Sequence, residues 1–265
     1  MPSSVLPPER PNAPRANVLG VGVSAINMPD AVRRCENFLH EHRKGYICVT
    51  GVHGIMEAQR DAGFCTILNR ALLCTPDGMP TVWVGRLQGH REMRRVYGPD
   101  FMLELCRSSV QRGCRHFLYG GKPGVVGKLE QRLQALVPGI AIVGTYTPPF
   151  RPHTPAEEDE LVSILAETRP DIIWVGLSTP KQERFMAGII DRLQACLMIG
   201  VGAAFDIHAG LLADAPSWMK ISGLQWLYRL MKEPRRLGRR YLTNNPRFLW
   251  EIAMQFTSIK KFDHG

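Results

Sequence analysis

The stretch Leu72–Pro80, Leu-Leu-Cys-Thr-Pro-Asp-Gly-Met-Pro, is a short apolar run that stops at an acid held between a proline and a glycine. The run predicts a buried strand, and Thr-Pro-Asp-Gly is a typical turn sequence. Open α/β sheets bind ligands at the carboxyl edge of their strands, so Asp77 is placed where a substrate would lie. Asp77 is therefore a candidate general base. The same geometry also suits a cap for the helix predicted from about residue 78.

Apolar runs of strand length alternate along the chain with segments of helix length. Turns rich in Gly or Pro follow these runs, and the continuously apolar Asp171–Leu177 indicates a sheet covered on both faces. This alternation predicts an α/β fold with a doubly wound, mostly parallel, Rossmann-like sheet. Besides the run before Asp77, the predicted strands are Val18–Ile26, Tyr46–Val49, His116–Tyr119, Ile140–Thr145, Asp171–Leu177 and Cys196–Val201.

Composition divides the chain into three regions. Residues 1–16 are rich in proline and predict a disordered lead-in. Residues 17–215 hold the α/β pattern. Residues 216–265 form a basic helical appendage, in which residues 220–265 contain ten Lys and Arg against three Asp and Glu, while the whole chain has a net charge of +9. An anionic partner is therefore expected at the C-terminus.

Two amphipathic stripes lie in this appendage. Basic amphipathic helices are typical of binding to an anionic membrane surface, where each Lys or Arg near the lipid contributes about 1 kcal/mol. The stripes would also suit packing on the core or on a neighbouring subunit, and nucleic acid is disfavoured because no nucleic-acid motif accompanies the charge. The first stripe contains Leu224, Leu227, Tyr228 and Met231, and the second contains Phe248, Leu249, Ile252, Ala253 and Phe256.

The seven cysteines include no Cys-x-x-Cys pair, which together with their odd number indicates reduced thiols in the cytoplasm. No apolar stretch approaches the roughly 18 to 20 residues of a membrane span, and the N-terminus lacks a signal-peptide core. We therefore expect a protein that touches a membrane without crossing it. The sequence contains no Asp-x-Asp pair, which favours a mechanism without a metal, and it predicts no cofactor.

Two glycine-containing turns supply candidate substrate contacts. The first, Thr50-Gly51-Val52-His53-Gly54, opens a helix, where His53 could contact a substrate or serve as a structural hydrogen-bonding group. The second runs from Gly120 and Gly121 to residue 124, and its small residues would let backbone N–H groups approach a diphosphate. An ordinary tight βα turn is the alternative for this second stretch. It is not a Walker A loop, because no Gly-Lys-Ser/Thr follows.

Further polar candidates follow other predicted strands. Gln182 and Glu183 begin a helix and could hydrogen-bond a sugar or base, or lie on the helix surface. Gly202 opens a turn of small residues that reaches the acid Asp206. Arg95 ends a basic segment that either clamps a diphosphate or forms a solvated face.

The stretch Gly20-Val21-Gly22-Val23-Ser24-Ala25 is similar to a dinucleotide-binding fingerprint. That fingerprint needs an acid at the end of the second strand to bind the ribose. Here the next strand ends in Thr50-Gly51, so a nicotinamide or flavin site, and with it an oxidoreductase, is disfavoured.

Taken together, the turns resemble the WecG/TagA/CpsF family of glycosyltransferases, over about residues 18–242. The resemblance rests on Thr75-Pro76-Asp77-Gly78, Arg95 with Gly98-Pro99-Asp100, Leu118-Tyr119-Gly120-Gly121, Asp171 through Val175-Gly176-Leu177, Pro180-Lys181-Gln182-Glu183, Gly200 through Asp206, Ala215-Pro216, and Trp226 through Leu230 followed by Glu233-Pro234-Arg235-Arg236. The order and spacing of these motifs are highly specific.

The resemblance implies transfer of a sugar from a UDP-sugar donor to a sugar carried on undecaprenyl diphosphate, with inversion and without a required metal. It implies Asp77 as the base, Arg95 as a contact of the diphosphate, and Gln182 as a further site residue. It also implies that the basic appendage reaches the membrane and helps to close the site, through a segment that contains Arg229, Arg235, Arg236, Arg239 and Arg240.

Four turns depart from the family pattern. The family's frequent asparagine is absent where this chain has Gly51, which favours glucose or another hexose over N-acetylmannosamine as the donor sugar. The usual Arg-Ala-Pro is Asp214-Ala215-Pro216, and the usual Leu-Glu-Trp is Leu224-Gln225-Trp226. The family's Gly-x-Pro-Lys-Gln-Glu begins here with Ser178.

The sequence thus predicts a hexosyltransferase of bacterial surface or exopolysaccharide synthesis, peripherally bound to the cytoplasmic face of the inner membrane. A homo-oligomer is left open. The alternative from another class is a non-catalytic nucleotide- or lipid-binding protein that kept the fold. Asp77, Arg95 and Gln182 argue against it, because a pure binder has no chemical reason to keep them together.

Overall fold

A computed structural model of the chain describes residues 13–194 and 196–263. The strands are β1 (Arg15–Val18), β2 (Val21–Ser24), β3 (Gly45–Thr50), β4 (Leu73–Pro76), β5 (Arg115–Gly120), β6 (Ala141–Tyr146), β7 (Ile172–Gly176) and β8 (Leu197–Gly200). The helices are α1 (Met28–His40), α2 (Val52–Ala58), α3 (Ala62–Arg70), α4 (Met79–Leu87), α5 (Gly98–Ser109), α6 (Val125–Leu136), α7 (Pro155–Thr168), α8 (Lys181–Ile189), α9 (Ala204–His208), α10 (Ser217–Ile221), α11 (Gln225–Lys232) and α12 (Pro234–Phe256).

Strands β3 to β8 form one sheet in the order β4-β3-β8-β7-β5-β6, and every neighbouring pair is parallel. The chain runs outward from β3 to β4 on one side and from β5 to β6 on the other, so the winding reverses inside the sheet. Ligands of such sheets bind outside the carboxyl ends of the strands, near the reversal. The predicted doubly wound, mostly parallel α/β fold is therefore confirmed.

Alternate residues of each strand point into two apolar layers. In β7, Ile173 and Val175 join one layer while Ile172 and Trp174 join the other, and all four are buried. Helices α2, α3, α7 and α8 cover the first face, and α1, α5, α6 and α9 cover the second. Burial on both faces explains why β7 has no polar side chain.

Local sequence signals fix several helix starts. A capping box begins α7: Thr154 Oγ1 accepts from the Glu157 backbone N at 3.3 Å, and Glu157 Oε2 accepts from the Thr154 backbone N at 2.8 Å. At α1 the Asn27 side chain accepts from the Asp30 backbone N at 3.0 Å. These three bonds satisfy N–H groups that the helices themselves leave free.

The N-terminal region differs from its prediction. Val18–Ile26 is not one strand but the antiparallel hairpin β1–β2, which turns at Leu19 (φ 53°) and Gly20 (φ 81°). Two successive positive φ angles suit a tight hairpin turn, so Gly20 shapes this turn and does not cradle a dinucleotide at the sheet edge. Strand β1 also begins before residue 17, the predicted start of the α/β domain. The lead-in predicted to be disordered spans residues 1–16: residues 1–12 lie outside the described residues, whereas Arg15 and Ala16 belong to β1.

The C-terminal helix α12 is attached to the α/β layers. Phe248 is 2% exposed and belongs to the apolar layer that contains α2, and Ile252 packs against that layer. After the helix, the Phe262 carbonyl accepts from Asn17 Nδ2 at 2.7 Å. The second stripe therefore packs on the core through these two residues, while Leu249 is 67% exposed.

Replacing Phe248 by Ala is expected to lower the free energy of unfolding by about 3 to 5 kcal/mol, the usual cost of emptying a buried aromatic site. The adjacent Leu249→Ala, made in the same helix on an exposed side chain, should change it by less than about 0.5 kcal/mol. Urea unfolding of both variants measures the difference. Equal small effects would show that α12 is not part of the core.

Candidate active site

The turns that follow the parallel strands meet at one edge of the sheet. The Asp77 backbone N, after β4, donates to the Thr50 carbonyl at the end of β3 at 3.1 Å. The Gly121 backbone N, after β5, donates to the Gly176 carbonyl at the end of β7 at 3.0 Å. Gly202, after β8, lies beside the Gln182 side chain of α8. The predicted candidates on five strands thus share one edge.

Asp77 is held at the start of α5. Its Oδ1 accepts from the Gly98 backbone N at 3.2 Å, so the partly positive helix N-terminus faces the carboxylate. Helix α4, for which the sequence offers Asp77 as a cap, has Gly78 at its N-cap and no side-chain cap. Asp77 therefore caps a different helix from the one expected, and its Oδ2 faces Gly51.

Gly51 leaves room beside this carboxylate. Its φ of −111° is accessible to any residue, and a Cβ there would meet nothing nearer than Asp77 Oδ2, at 3.8 Å. Neither backbone conformation nor packing requires glycine at this position. Because residue 51 is glycine, no side chain occupies the space in front of the Asp77 carboxylate.

Arg95 joins the Asp77 turn to the appendage. Its Nε donates to the Asp77 backbone carbonyl, and its two terminal nitrogens donate to the Gln225 side-chain oxygen and, at 3.4 Å, to the Lys220 carbonyl. The guanidinium also lies over the Tyr97 ring, 4.2 Å from its centroid. Three of the five guanidinium N–H groups are used in these bonds, so the predicted contact with a diphosphate would depend on the remaining two.

Gln182 and Glu183 form a buried polar pair, not the helix-surface groups that the sequence left open. Glu183 Oε1 accepts from Gln182 Nε2 at 3.0 Å and from Thr179 Oγ1 at 2.9 Å. Gln182 Oε1 and Glu183 Oε2 have no hydrogen-bond partner among the described residues. Burial raises the pKa of Glu183. Glu183 is only 1% exposed and lies behind Gln182, so it is placed to orient Gln182.

The turn after β5 approaches β7 closely. Gly120 (φ 130°) has no space for a side chain, since a Cβ would lie 2.7 Å from the Gly176 carbonyl oxygen. The N–H group of Gly121 (φ 73°) is used by that same carbonyl. This N–H group is therefore not free for a phosphate in this structure. The N-terminus of α6 follows at Val125, and Lys122 lies between the two.

His53 connects α2 to α12. Its Nδ1 lies 3.2 Å from Asn244 Nδ2, and Asn244 Oδ1 accepts from Arg60 Nη2 at 2.7 Å. Burial, helped by the nearby charge of Arg240, lowers the pKa of His53 to about 4. The imidazole is therefore neutral at pH 7, and it contacts Asn244 of the appendage.

The five predicted arginines of the appendage occupy different environments. Arg229 and Arg240 are partly buried, and the Nε atom of each is buried without a partner in the described part of the chain. Arg236 Nε donates to Glu233 Oε1 at 2.7 Å. Arg235 and Arg239 are exposed.

These arginines carry positive charge to the sheet edge. Burial lowers the pKa of Arg240, and the charges of Arg229 and Arg236 lower it further. The hydrogen bond with Glu233 and, to a smaller extent, the charge of Asp206 after β8 raise the pKa of Arg236. Partly buried cations without full partners favour an anionic ligand, because an anion would supply the missing hydrogen bonds.

Sequence reasoning missed the residues that fasten the appendage to the core. Asp214 accepts hydrogen bonds from Tyr97, Lys220 and Gln225. Asp214 and Gln225 had been noticed only as departures from the family pattern. The structure shows that these two departures are in direct contact. The joint departure of Asp214 and Gln225 from the family pattern was the only feature of the sequence that pointed to their contact.

Within residues 13–194 and 196–263, no group of three or more His, Cys, Asp or Glu side chains could hold a metal ion. Over the same residues, no helix is both long enough and apolar enough to cross a membrane.

A parallel α/β sheet with a carboxylate, a buried glutamine and partly buried arginines at its carboxyl edge is typical of an α/β enzyme whose ligand binds at that edge. Residues 16–261 match the glycosyl transferase WecG/TagA/CpsF family, and the chain belongs to this family.

Two curated relatives have the same name, N-acetylglucosaminyldiphosphoundecaprenol N-acetyl-beta-D-mannosaminyltransferase. The protein from Bacillus subtilis (strain 168) is 29% identical over 206 residues, which are 77% of each chain. The protein from Bacillus spizizenii (strain ATCC 23059 / NRRL B-14472 / W23) is 29% identical over 209 residues, which are 78% of this chain and 79% of that one. The predicted family is therefore confirmed.

Replacing Glu183 by Gln should make the folded protein more stable at pH 8. Because burial raises the folded-state pKa of Glu183, the wild type is stabilised fully only below the unfolded-state value and loses this contribution as the pH rises through the folded-state pKa. Gln keeps the acceptor for Gln182 and Thr179 without a charge.

Urea unfolding of both proteins from pH 4.5 to pH 8 tests this expectation, and the gain in Glu183→Gln should grow with pH. A gain that is constant with pH, or a loss at pH 8, would contradict it. The exposed Glu104→Gln is the control and should show neither trend.

Proposed function

We propose that this protein transfers a hexose or N-acetylhexosamine from a UDP-sugar to a sugar carried on a polyprenyl diphosphate. The observation that carries the proposal is the position of Asp77: its carboxylate is fixed by the α5 N-terminus, and one oxygen faces the open space at Gly51. The names of the two relatives describe transfer to an undecaprenyl-diphosphate-linked sugar, which supports the acceptor class.

The reaction is a single displacement. Asp77 accepts the proton of the acceptor hydroxyl, and that oxygen forms a bond to the anomeric carbon as the bond to the UDP oxygen breaks. Attack opposite the leaving group inverts the anomeric configuration, and UDP leaves with its charge. A carboxylate is a weak base, so alignment of acceptor and donor supplies much of the rate.

The appendage supplies the charge that the leaving diphosphate needs. Arg229 and Arg240 have inward Nε atoms without partners among the described residues, and they are the cations we assign to the diphosphate. Preorganised cations in a partly buried site stabilise developing negative charge more than they would in water. Arg95 positions the Asp77 turn, and Gln182 Oε1 is an acceptor available to a sugar hydroxyl.

The donor sugar follows from the space at Gly51. No side chain at this position offers an amide to an acetamido group, which favours glucose or another hexose. The product would then be a lipid-linked oligosaccharide for a surface polymer or exopolysaccharide. Such an acceptor lies in the membrane, so we place the enzyme at the cytoplasmic face of the bacterial inner membrane.

Replacing Asp77 by Asn should lower turnover by about 10²-fold or more, because Asn keeps the shape but cannot take a proton. UDP release is measured with a panel of UDP-hexoses and a short-chain polyprenyl-diphosphate-linked sugar, alongside UDP binding by thermal shift. UDP binding should be nearly unchanged in the variant. Full activity of Asp77→Asn would refute its role. UDP binding without turnover by the wild type, with every donor, would favour a binding protein.

The membrane proposal rests on exposed apolar residues of the appendage, not on the second stripe. Trp218 and Ile221 on α10 are 63% and 75% exposed. An exposed Trp suits a membrane–water interface. Deleting the whole appendage would remove Phe248 from the core, so point variants are the sharper test.

The double variant Trp218→Ser/Ile221→Ser should bind vesicles of anionic phospholipid about tenfold or more weakly, because each apolar side chain contributes about 1.5 to 3 kcal/mol when fully buried. Leu136→Ser, an exposed leucine on α6, should bind like the wild type. Co-sedimentation measures both. Unchanged binding of the double variant would remove these residues from the membrane contact.

A further inference from the structure

One carboxylate organises the junction between the α/β layers and the appendage. Asp214 lies between α9 and α10, and its Oδ1 accepts from Tyr97 Oη at 2.7 Å, from the Ala215 backbone N at 2.8 Å and from Gln225 Nε2 at 3.3 Å. Its Oδ2 accepts from Lys220 Nζ at 3.0 Å. Tyr97 belongs to the α/β layers, whereas Lys220 and Gln225 belong to the appendage.

The carboxylate is charged in the folded protein. Although its burial acts in the opposite direction, hydrogen bonds from Tyr97 and Lys220 hold the pKa of Asp214 below its ordinary value. Lys220 Nζ is also 3.7 Å from Asp100 Oδ1 and 5.2 Å from the centroid of the Tyr97 ring. The ammonium of the appendage is therefore enclosed by groups of the core, with Asp214 as its nearest anion.

These bonds continue to the Asp77 turn. Because Gln225 donates its amide N–H to Asp214, its carbonyl oxygen is turned to the opposite side, where it accepts from Arg95. Arg95 in turn donates from Nε to the backbone carbonyl of Asp77. A continuous chain of side-chain hydrogen bonds thus links Asp214 to the main chain of Asp77.

We propose that Asp214 is a positioning residue for the transfer reaction. It holds α10 and α11 against Tyr97 and, through Gln225 and Arg95, fixes the main chain that carries Asp77. This inference rests on the proposed function, because it assigns the catalytic role to Asp77. It predicts that placement of the appendage and alignment of the base depend on the same carboxylate.

Replacing Asp214 by Asn tests this role. Asn is close in shape but removes the charge that holds Lys220, and either orientation of its amide leaves at least one of the present donors without an acceptor. We expect kcat to fall by about tenfold or more while the KM for the donor changes by less than about twofold, because a misaligned base affects the chemical step more than ground-state binding. Asp159→Asn, which removes the exposed pair with Arg192, is the matched control and should keep the wild-type kcat.

Gln225→Ala removes the side chain that links Asp214 to Arg95 in the same series of hydrogen bonds. It should lower kcat to a similar extent, and the double variant Asp214→Asn/Gln225→Ala should be no more than about twofold worse than either single variant, because the two residues act in series. Additive losses would contradict the chain. Wild-type kcat in Asp214→Asn would overturn the proposal, and should that variant fail to fold, wild-type kcat in Gln225→Ala would overturn it.

Amide hydrogen exchange gives a readout that does not need activity. Exchange of residues 217–232 should become faster in Asp214→Asn and stay unchanged in Asp159→Asn, because only the first loosens α10 and α11. Unchanged exchange in Asp214→Asn would overturn the positioning role. If the wild type turns over no donor, the proposed function fails, and the exchange result still decides whether Asp214 holds the appendage.

Discussion

All six strands of the central sheet run in the same direction, and the geometry of the site depends on this constraint. Parallel alignment brings the turns after β3, β4, β5, β7 and β8 to one edge, and it points the N-termini of the following helices at the same place. Peptide dipoles and free N–H groups then favour negative charge there. Asp77 lies in this field and accepts from the Gly98 N–H group, so the protein itself fixes the position of its carboxylate.

The sheet edge carries the cations Arg95 and Lys122, and the appendage adds further ones. Arg229 and Arg240 carry partly buried charge with incomplete hydrogen bonding within the described residues, which is unfavourable without an anion. Packing of Phe248 in the core and the bonds of Asn244 to Arg60 and His53 hold α12 in place against this cost. The structure therefore combines a stable scaffold with a site that an anionic ligand would complete.

Most of the fold was predictable because its signals are local. Apolar strands, glycine and proline turns and the Thr154–Glu157 capping box each depend on neighbours in sequence. The hairpin at Leu19 was missed because a leucine with positive φ is uncommon and leaves no pattern. The second tail stripe was ambiguous, since an amphipathic pattern is the same whether the apolar face meets lipid or a protein core.

The sequence predicted where the candidate residues lie in the fold, but not which side chains they contact. Parallel strands suffice to place Asp77, Thr50 and Gln182 at one edge, as the sequence indicated. The partners of Arg95 and the full burial of Glu183 depend on side chains far apart in sequence, which no local pattern encodes. For the same reason Asp214 was noticed only as an unusual residue, although it makes four hydrogen bonds in the structure.

The most direct test of this account is amide hydrogen exchange of the wild-type protein with and without UDP. Slower exchange in the turns after β3, β5 and β8, together with the region from α11 to the first half of α12, would show that the sheet edge and the appendage form one site. Slower exchange confined to the groove between α3 and α8, which Thr66 and Ala187 line, would contradict it. Slower exchange at the sheet edge with unchanged exchange in the appendage would also contradict it.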